Sequence, residues 1–168
     1  MFDYIQTLDT RTFLALFNPT HNPDLTRFSL ILSFTADGWL YFSLLPILVV
    51  ARPDEFREYF LLAITVFMLE RGIYFVLKNS IKRRRPPQAL PDIRPVILAS
   101  DRFSLPSGHT SAAFLFVTFL TVGISPLFMP LYIWAARVGA SRIILGVHFP
   151  TDVVLGAMLG TSIALAVL

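Results

Sequence analysis

"FREYFLLAITVFMLERGIYFVL", residues 56–77, runs straight into "KNSIKRRRP", residues 78–86. The first stretch is long and apolar enough to cross a bilayer as a helix. The second is too charged to follow it into hydrocarbon. Their junction marks a membrane boundary near Lys78, and the rest of the chain can be laid out from it.

Composition agrees with that reading. Of 168 residues, 55% are hydrophobic, 16 are Phe and only 15% are charged. An ordinary soluble domain is nearer about 45–50% apolar and about 25% charged. A soluble enzyme or a nucleic-acid binder is therefore not expected; the partner is a lipid bilayer. The chain has no cysteine, so disulfide and thiol chemistry are excluded. "MFDYIQTLDTRTF" at residues 1–13 lacks a basic start and a small-residue cleavage site, so no cleavable signal peptide is expected.

Before the junction, residues 1–37 hold two amphipathic stretches, Tyr4–Phe17 and Leu25–Phe34, around the breaker run "NPTHNPD". They are expected at, or partly inserted from, the interface, with His21 an ordinary loop residue between them. A first crossing is expected over Gly38–Ala51, with an extension back to Phe28 left open and Asp37-Gly38 as its cap. After the junction comes a basic, Pro-rich loop over residues 79–106. Three apolar segments follow, Ser107–Gly123, Pro126–Ser141 and Pro150–Leu168, joined by short Gly/Pro connections that suit antiparallel neighbours. Gly156 and Gly160 form a small-xxx-small pair for close helix packing. The expected fold is all-α, a single polytopic membrane bundle of about five to six transmembrane helices with a polar active-site face, spanning residues 1–168. Nothing in the sequence sets an oligomeric state.

The polar exceptions to this pattern converge. Alternating crossings return Lys78 and Arg85, Ser107-Gly108-His109, Arg142, and His148 with Asp152 to one membrane face. Each group has a logic for phosphate. "PSGH", residues 106–109, opens a helix whose first amides lack intrahelical partners, and Gly108 lets an anion approach them. Asp152 follows His148 by about one turn, near enough to orient its imidazole. Lys78, Arg85 and Arg142 supply fixed positive charge. Glu70, Arg71 and Arg137 are ionisable groups within apolar segments and need partners. Glu70, Tyr74 and Lys78 share a helix face. Glu70 with Arg137 is one pairing to expect, either structural or in support of the site.

"KNSIKRRRP", "PSGH" and "SRIILGVHFPTD" (residues 141–152) together match a three-part signature in type, spacing and order. The chain resembles the type 2 phosphatidic acid phosphatase, or lipid phosphate phosphatase, superfamily. The resemblance implies that His148 attacks phosphorus to form a phosphohistidine and that Asp152 orients it. His109 would protonate the leaving oxygen. Lys78, Arg85 and Arg142 would clamp phosphate oxygens, with Ser107 and the Gly108 backbone completing the cradle. No metal and no other cofactor is implied. Small bacterial members of this type act on undecaprenyl diphosphate, phosphatidylglycerophosphate, phosphatidate or lipid A phosphates. The expected reaction is hydrolysis of undecaprenyl diphosphate to undecaprenyl phosphate. Phosphatidylglycerophosphate or phosphatidate is the alternative substrate. A non-catalytic lipid transporter on the same fold is the alternative of another class. The family implies a multi-pass protein of the bacterial inner membrane with its site toward the periplasm, although Lys82–Arg85, Arg94 and Arg102 would by charge alone favour the cytoplasm.

Overall fold

The computed structural model describes residues 2–17, 22–51, 53–99 and 101–168, and among these every regular element is helical. His21 and most of the breaker run lie outside the described residues. Helix α1 spans Phe2–Leu16 and α2 spans Pro23–Thr35. Asn22 starts α2 by accepting a hydrogen bond from the Leu25 amide at 3.0 Å, with Pro23 in the first turn, where its missing N–H costs nothing. A 3₁₀ turn, Trp39–Ser43, leads into α3, Leu44–Ala51. The long α4, Phe56–Ile81, is followed by the single-turn α5, Pro86–Ala89. Then come α6, Gly108–Thr118, α7, Leu131–Ile144, and α8, Pro150–Val167. The α6 helix widens into a π-helical turn over Phe119–Ile124.

By length and composition α4 and α8 can each cross a membrane. α2 and the Trp39–Ala51 segment together form a third candidate span, bent by 48°. The bend falls where Gly38 adopts φ +107°, a conformation open mainly to glycine. Gly108–Ile124 is a shorter apolar helix. Met68, Phe75, Val76 and Leu127 point outward, as a lipid-facing surface requires.

The centre of the bundle is the α6–α8 pair. A Cβ built on Gly156 would stand 2.6 Å from the Ser107 carbonyl oxygen, and one on Gly160 only 2.0 Å from that of Ser111. The absent side chains allow backbone-to-backbone contact, as the small-xxx-small spacing led one to expect. Phe116, Phe119, Leu120, Val138 and Ile163 fill the main core around this pair. A smaller core of Phe13, Ile143 and Phe149 seats α1 against the start of α8. The polar ends of α4, α6, α7 and α8 thus meet at one end of the bundle.

Two sequence expectations are corrected. Glu70 does not meet Arg137. It is fully buried, accepts from its neighbour Arg71 at 2.5 and 2.6 Å and from Ser111 on α6 at 2.5 Å, while Arg137 lies on the exposed face of α7. Asp37 does not cap the following turn, which has no side-chain cap; its carboxylate reaches across to α6.

Candidate active site

The basic run builds the first wall. Helix α4 stops as Lys82 turns left-handed at φ +51°, and residues 82–85 continue outside any helix. Side chains of an extended chain alternate sides. Lys82 and Arg84 point to solvent, whereas Arg83 and Arg85 turn inward. Arg85 donates to the Val147 carbonyl at 2.6 Å, and the same nitrogen lies 3.3 Å from His148 Nε2. The guanidinium therefore bears directly on the ring nitrogen opposite the one that faces Asp152.

The second wall is the α7–α8 turn. Gly146, at φ +81°, reverses the chain just beyond the C-terminal residue of α7. The Val147 and His148 amides then donate back to the Arg142 carbonyl, at 3.2 and 3.3 Å. Asp152 follows in the first turn of α8, fully buried. Its Oδ2 accepts from the Phe149 amide at 2.8 Å and from the Ser104 hydroxyl, and its Oδ1 accepts from Arg83 at 2.7 Å. His148 Nδ1 stands 3.6 Å from Oδ2, a charge contact looser than a hydrogen bond. Pairs of this kind commonly tighten only when substrate is bound. Burial pushes the His148 imidazole down to about 4; the pull of Asp152 in the other direction is too weak to restore it, and Arg85 adds to the fall. The ring is neutral at neutral pH. With its Nδ1 proton assigned toward the carboxylate, Nε2 is the unprotonated nitrogen, and its lone pair accepts from Arg85 at 3.3 Å.

The third wall is the start of α6. Ser107 is fully buried; its amide donates to the Asp152 carbonyl at 2.9 Å and its hydroxyl accepts from Thr110. It ties α6 to α8 from behind the cavity wall rather than lining it. Gly108 does line the cavity, and a Cβ there would touch the Tyr74 hydroxyl at 3.0 Å. His109 lines it too, with Nε2 2.6 Å from Asp37 Oδ1. Lys78, buried, donates to Tyr74 at 2.7 Å, to the Pro106 carbonyl at 3.3 Å and to Asp101 at 2.9 Å. Arg142 donates to Ser33, and its buried Nε has no hydrogen-bond partner among the described residues.

These groups surround a cavity of about 350 Å³ whose lining includes Arg85, Arg142, His109, His148, Asp37 and Asp101. It shares Gly38, Tyr41 and Phe67 with an apolar groove of about 400 Å³ that runs between α3 and α4 past Leu44, Leu48, Phe60 and Ala63. A neutral imidazole, two guanidinium groups and a second histidine around one cavity can hold and attack a phosphorus centre. Among the described residues no cluster has the makings of a metal site.

Sequence reasoning brought Lys78, Arg85, Gly108, His109, Arg142, His148 and Asp152 to this end of the molecule, and they meet there. It missed Arg83, Asp101, Ser104 and Asp37. Arg83 also binds Asp9 of α1, which in turn accepts from the Thr151 amide at 2.9 Å, so α1 braces the same carboxylate. Asp101 spans Lys78 and Arg85 and accepts from Tyr74 at 2.8 Å. Burial opposes its ionisation, but the bonds and charge of Lys78 and Arg85 outweigh that and hold its carboxyl at about 2. The inward-outward alternation of residues 82–85 is a signal that could have separated Arg83 from its neighbours.

The PAP2 superfamily model matches residues 59–168. The chain is 30% identical over 130 residues to decaprenylphosphoryl-5-phosphoribose phosphatase of Mycobacterium tuberculosis, a match covering 75% of this chain and 67% of that protein. It is 36% identical over 132 residues to phosphatidylglycerophosphatase B of Bacillus subtilis, covering 70% of this chain and 62% of that one. Its fold is similar to the crystal structure of Aquifex aeolicus LpxE, with a TM-score of 0.79 and 30% identity over 95% of this chain and 94% of that chain.

Proposed function

The chain belongs to the PAP2 superfamily, and from that premise we propose that it is a membrane phosphatase whose residue His148 attacks the phosphorus of a lipid-borne phosphate. The observation that carries this reading is one cavity faced by two histidines, each beside an aspartate, with Arg85 and Arg142 in its wall. His148 Nε2 donates its lone pair to phosphorus as the bond to the lipid oxygen breaks. That oxygen takes the bonding electrons and a proton from His109. A water then attacks the phosphohistidine, its proton passes to His109, and phosphate leaves with His148 restored. Arg85 and Arg142, with Lys78 behind them, offset the charge on the phosphoryl oxygens, work done elsewhere by a metal ion. Asp152 holds the imidazole and stabilises the charge it gains.

The adjoining apolar groove supports a lipid rather than a soluble phosphate ester: the head enters the polar cavity and the chain lies along α3 and α4. A relative named for a decaprenyl-linked sugar phosphate supports a polyprenyl-linked phosphate or diphosphate as substrate, undecaprenyl diphosphate among them. The higher identity to phosphatidylglycerophosphatase B favours phosphatidylglycerophosphate as the second reading. In this proposal the polar end of the bundle faces the periplasm from the bacterial inner membrane. With no native cysteine, an Arg102→Cys variant labelled by an impermeant maleimide in intact cells tests that orientation; labelling only after lysis would reverse it.

The substrate test is phosphate release in detergent with EDTA present, from undecaprenyl diphosphate, phosphatidylglycerophosphate and phosphatidate in parallel. Release that survives the chelator and vanishes in His148→Ala supports the proposal. No release from any of these lipids by well-folded protein would overturn it and favour a lipid transporter.

A further inference from the structure

Asp101 is an anion already seated on the cations that the proposed reaction needs. One carboxylate oxygen contacts Arg85 Nη2; the other lies 2.9 Å from Lys78 Nζ and accepts from Tyr74 at 2.8 Å. A second contact, from Arg85 Nε to the Asp101 carbonyl at 3.1 Å, anchors the backbone and leaves the carboxylate free to turn. The side chain lines the cavity and is 38% exposed, so it has a solvent side to turn toward. Lys78 and Arg85, by contrast, are 5% and 7% exposed and cannot follow it. Asp37 stays on His109, Glu70 on Arg71 and Asp152 on Arg83, so none of these carboxylates covers the same pair.

Resting on the phosphatase reading, we propose that Asp101 is a built-in competitor of the substrate phosphate and sets the site's selectivity. It occupies the Lys78–Arg85 seat when no phosphate is present and leaves the seat when one binds. The exchange has two consequences. Two buried cations are never left unpaired, a costly state. Weakly charged anions, which cannot displace a carboxylate bonded to two cations, are rejected, whereas a phosphate dianion with several acceptor oxygens displaces it.

The test uses full-length protein in detergent and reads binding of inorganic phosphate by calorimetry, which needs no turnover. Asp101→Asn removes the charge at constant shape, and Asp101→Ala removes the side chain. Both are expected to tighten phosphate by about tenfold and to lower KM for a lipid phosphate, with kcat changed less. Nitrate, a monoanion, should inhibit the variants more strongly than wild type, because the barrier to weakly charged anions is gone. If either variant melts below wild type, the other still decides the matter. Phosphate binding unchanged or weakened in folded variants would overturn the proposal and make Asp101 a positioning residue for Lys78 and Arg85. A parallel His148→Ala assay separates this outcome from failure of the phosphatase reading: turnover that survives in His148→Ala defeats that reading whatever the phosphate affinities show.

Discussion

Replacing Gly160 by alanine adds one methyl group at the tightest point of the bundle. The new Cβ would lie 2.0 Å from the Ser111 carbonyl oxygen, 2.8 Å from the Leu115 amide nitrogen and 2.9 Å from the Ser111 carbonyl carbon, all backbone atoms that cannot swing away. To reach a tolerable contact α6 and α8 must part by about 1 Å. Overpacking of this kind costs about 1–3 kcal/mol, which for a chain of this size is a fall of roughly 2–12 °C in melting temperature. The displacement reaches the site, because the Ser107 amide reads the Asp152 carbonyl at 2.9 Å across the same helix pair. Misplacing catalytic groups by 1 Å can cost on the order of 10²-fold in rate. Thermal melting in detergent and kcat on a lipid phosphate are the assays. Gly72→Ala is the control: nothing lies within 4 Å of its Cβ, so it should gain about 0.5–1 kcal/mol from helix propensity alone. A Gly160→Ala protein with wild-type melting and turnover would refute the claim that backbone contact between α6 and α8 holds the site together.

Other outcomes follow from individual contacts. Arg83→Ala leaves Asp152 and Asp9 without their shared cation, and kcat should fall about 10- to 100-fold, each tenfold being about 1.4 kcal/mol, with KM little changed; steady-state kinetics reads both. Asp37→Asn removes the charged partner of His109, so hydrolysis of a lipid phosphate should slow by about tenfold or more, while an activated aryl phosphate, which needs no proton on its leaving group, should be nearly unaffected. A protein with His21→Gln and His109→Gln keeps His148 as its sole histidine, and NMR should place that ring's titration near pH 4. A midpoint at or above the ordinary value of about 6.5 would contradict the buried neutral imidazole. The linkage has a definite sign: between about pH 6.5 and 4 the unfolded chain binds a proton the folded one does not. The contribution of His148 to stability is therefore whole above that window and is lost as pH falls through it.

What was legible in the sequence follows from periodicity and spacing. The apolar run of residues 56–77 announced α4, and Gly156 with Gly160 announced a close helix contact on α8, because both are properties of one helix; that the partner is α6 is decided by the fold. Lys78, Arg85, the PSGH segment, Arg142, His148 and Asp152 were legible as parts of a spaced signature. Asp37, Asp101 and Ser104 were not: each sits in a loop and meets its partner across the fold, Asp37 with His109 72 positions on and Ser104 with Asp152 48 positions on. Glu70 illustrates the same limit. Its burial was foreseeable from its place in an apolar helix, yet its partner was the adjacent Arg71 and not Arg137, a choice made by the rotation of α7 that leaves Arg137 outside.

The central claim is that His148 becomes covalently phosphorylated. The most direct measurement is rapid mixing of the protein with a ³²P-labelled lipid phosphate, an alkaline quench that preserves phosphohistidine, and peptide mapping of the label. Label on the peptide that contains His148, formed before phosphate release and absent from His148→Ala, is the result this account requires. Phosphate release with no labelled protein, or label on any other residue, would contradict it.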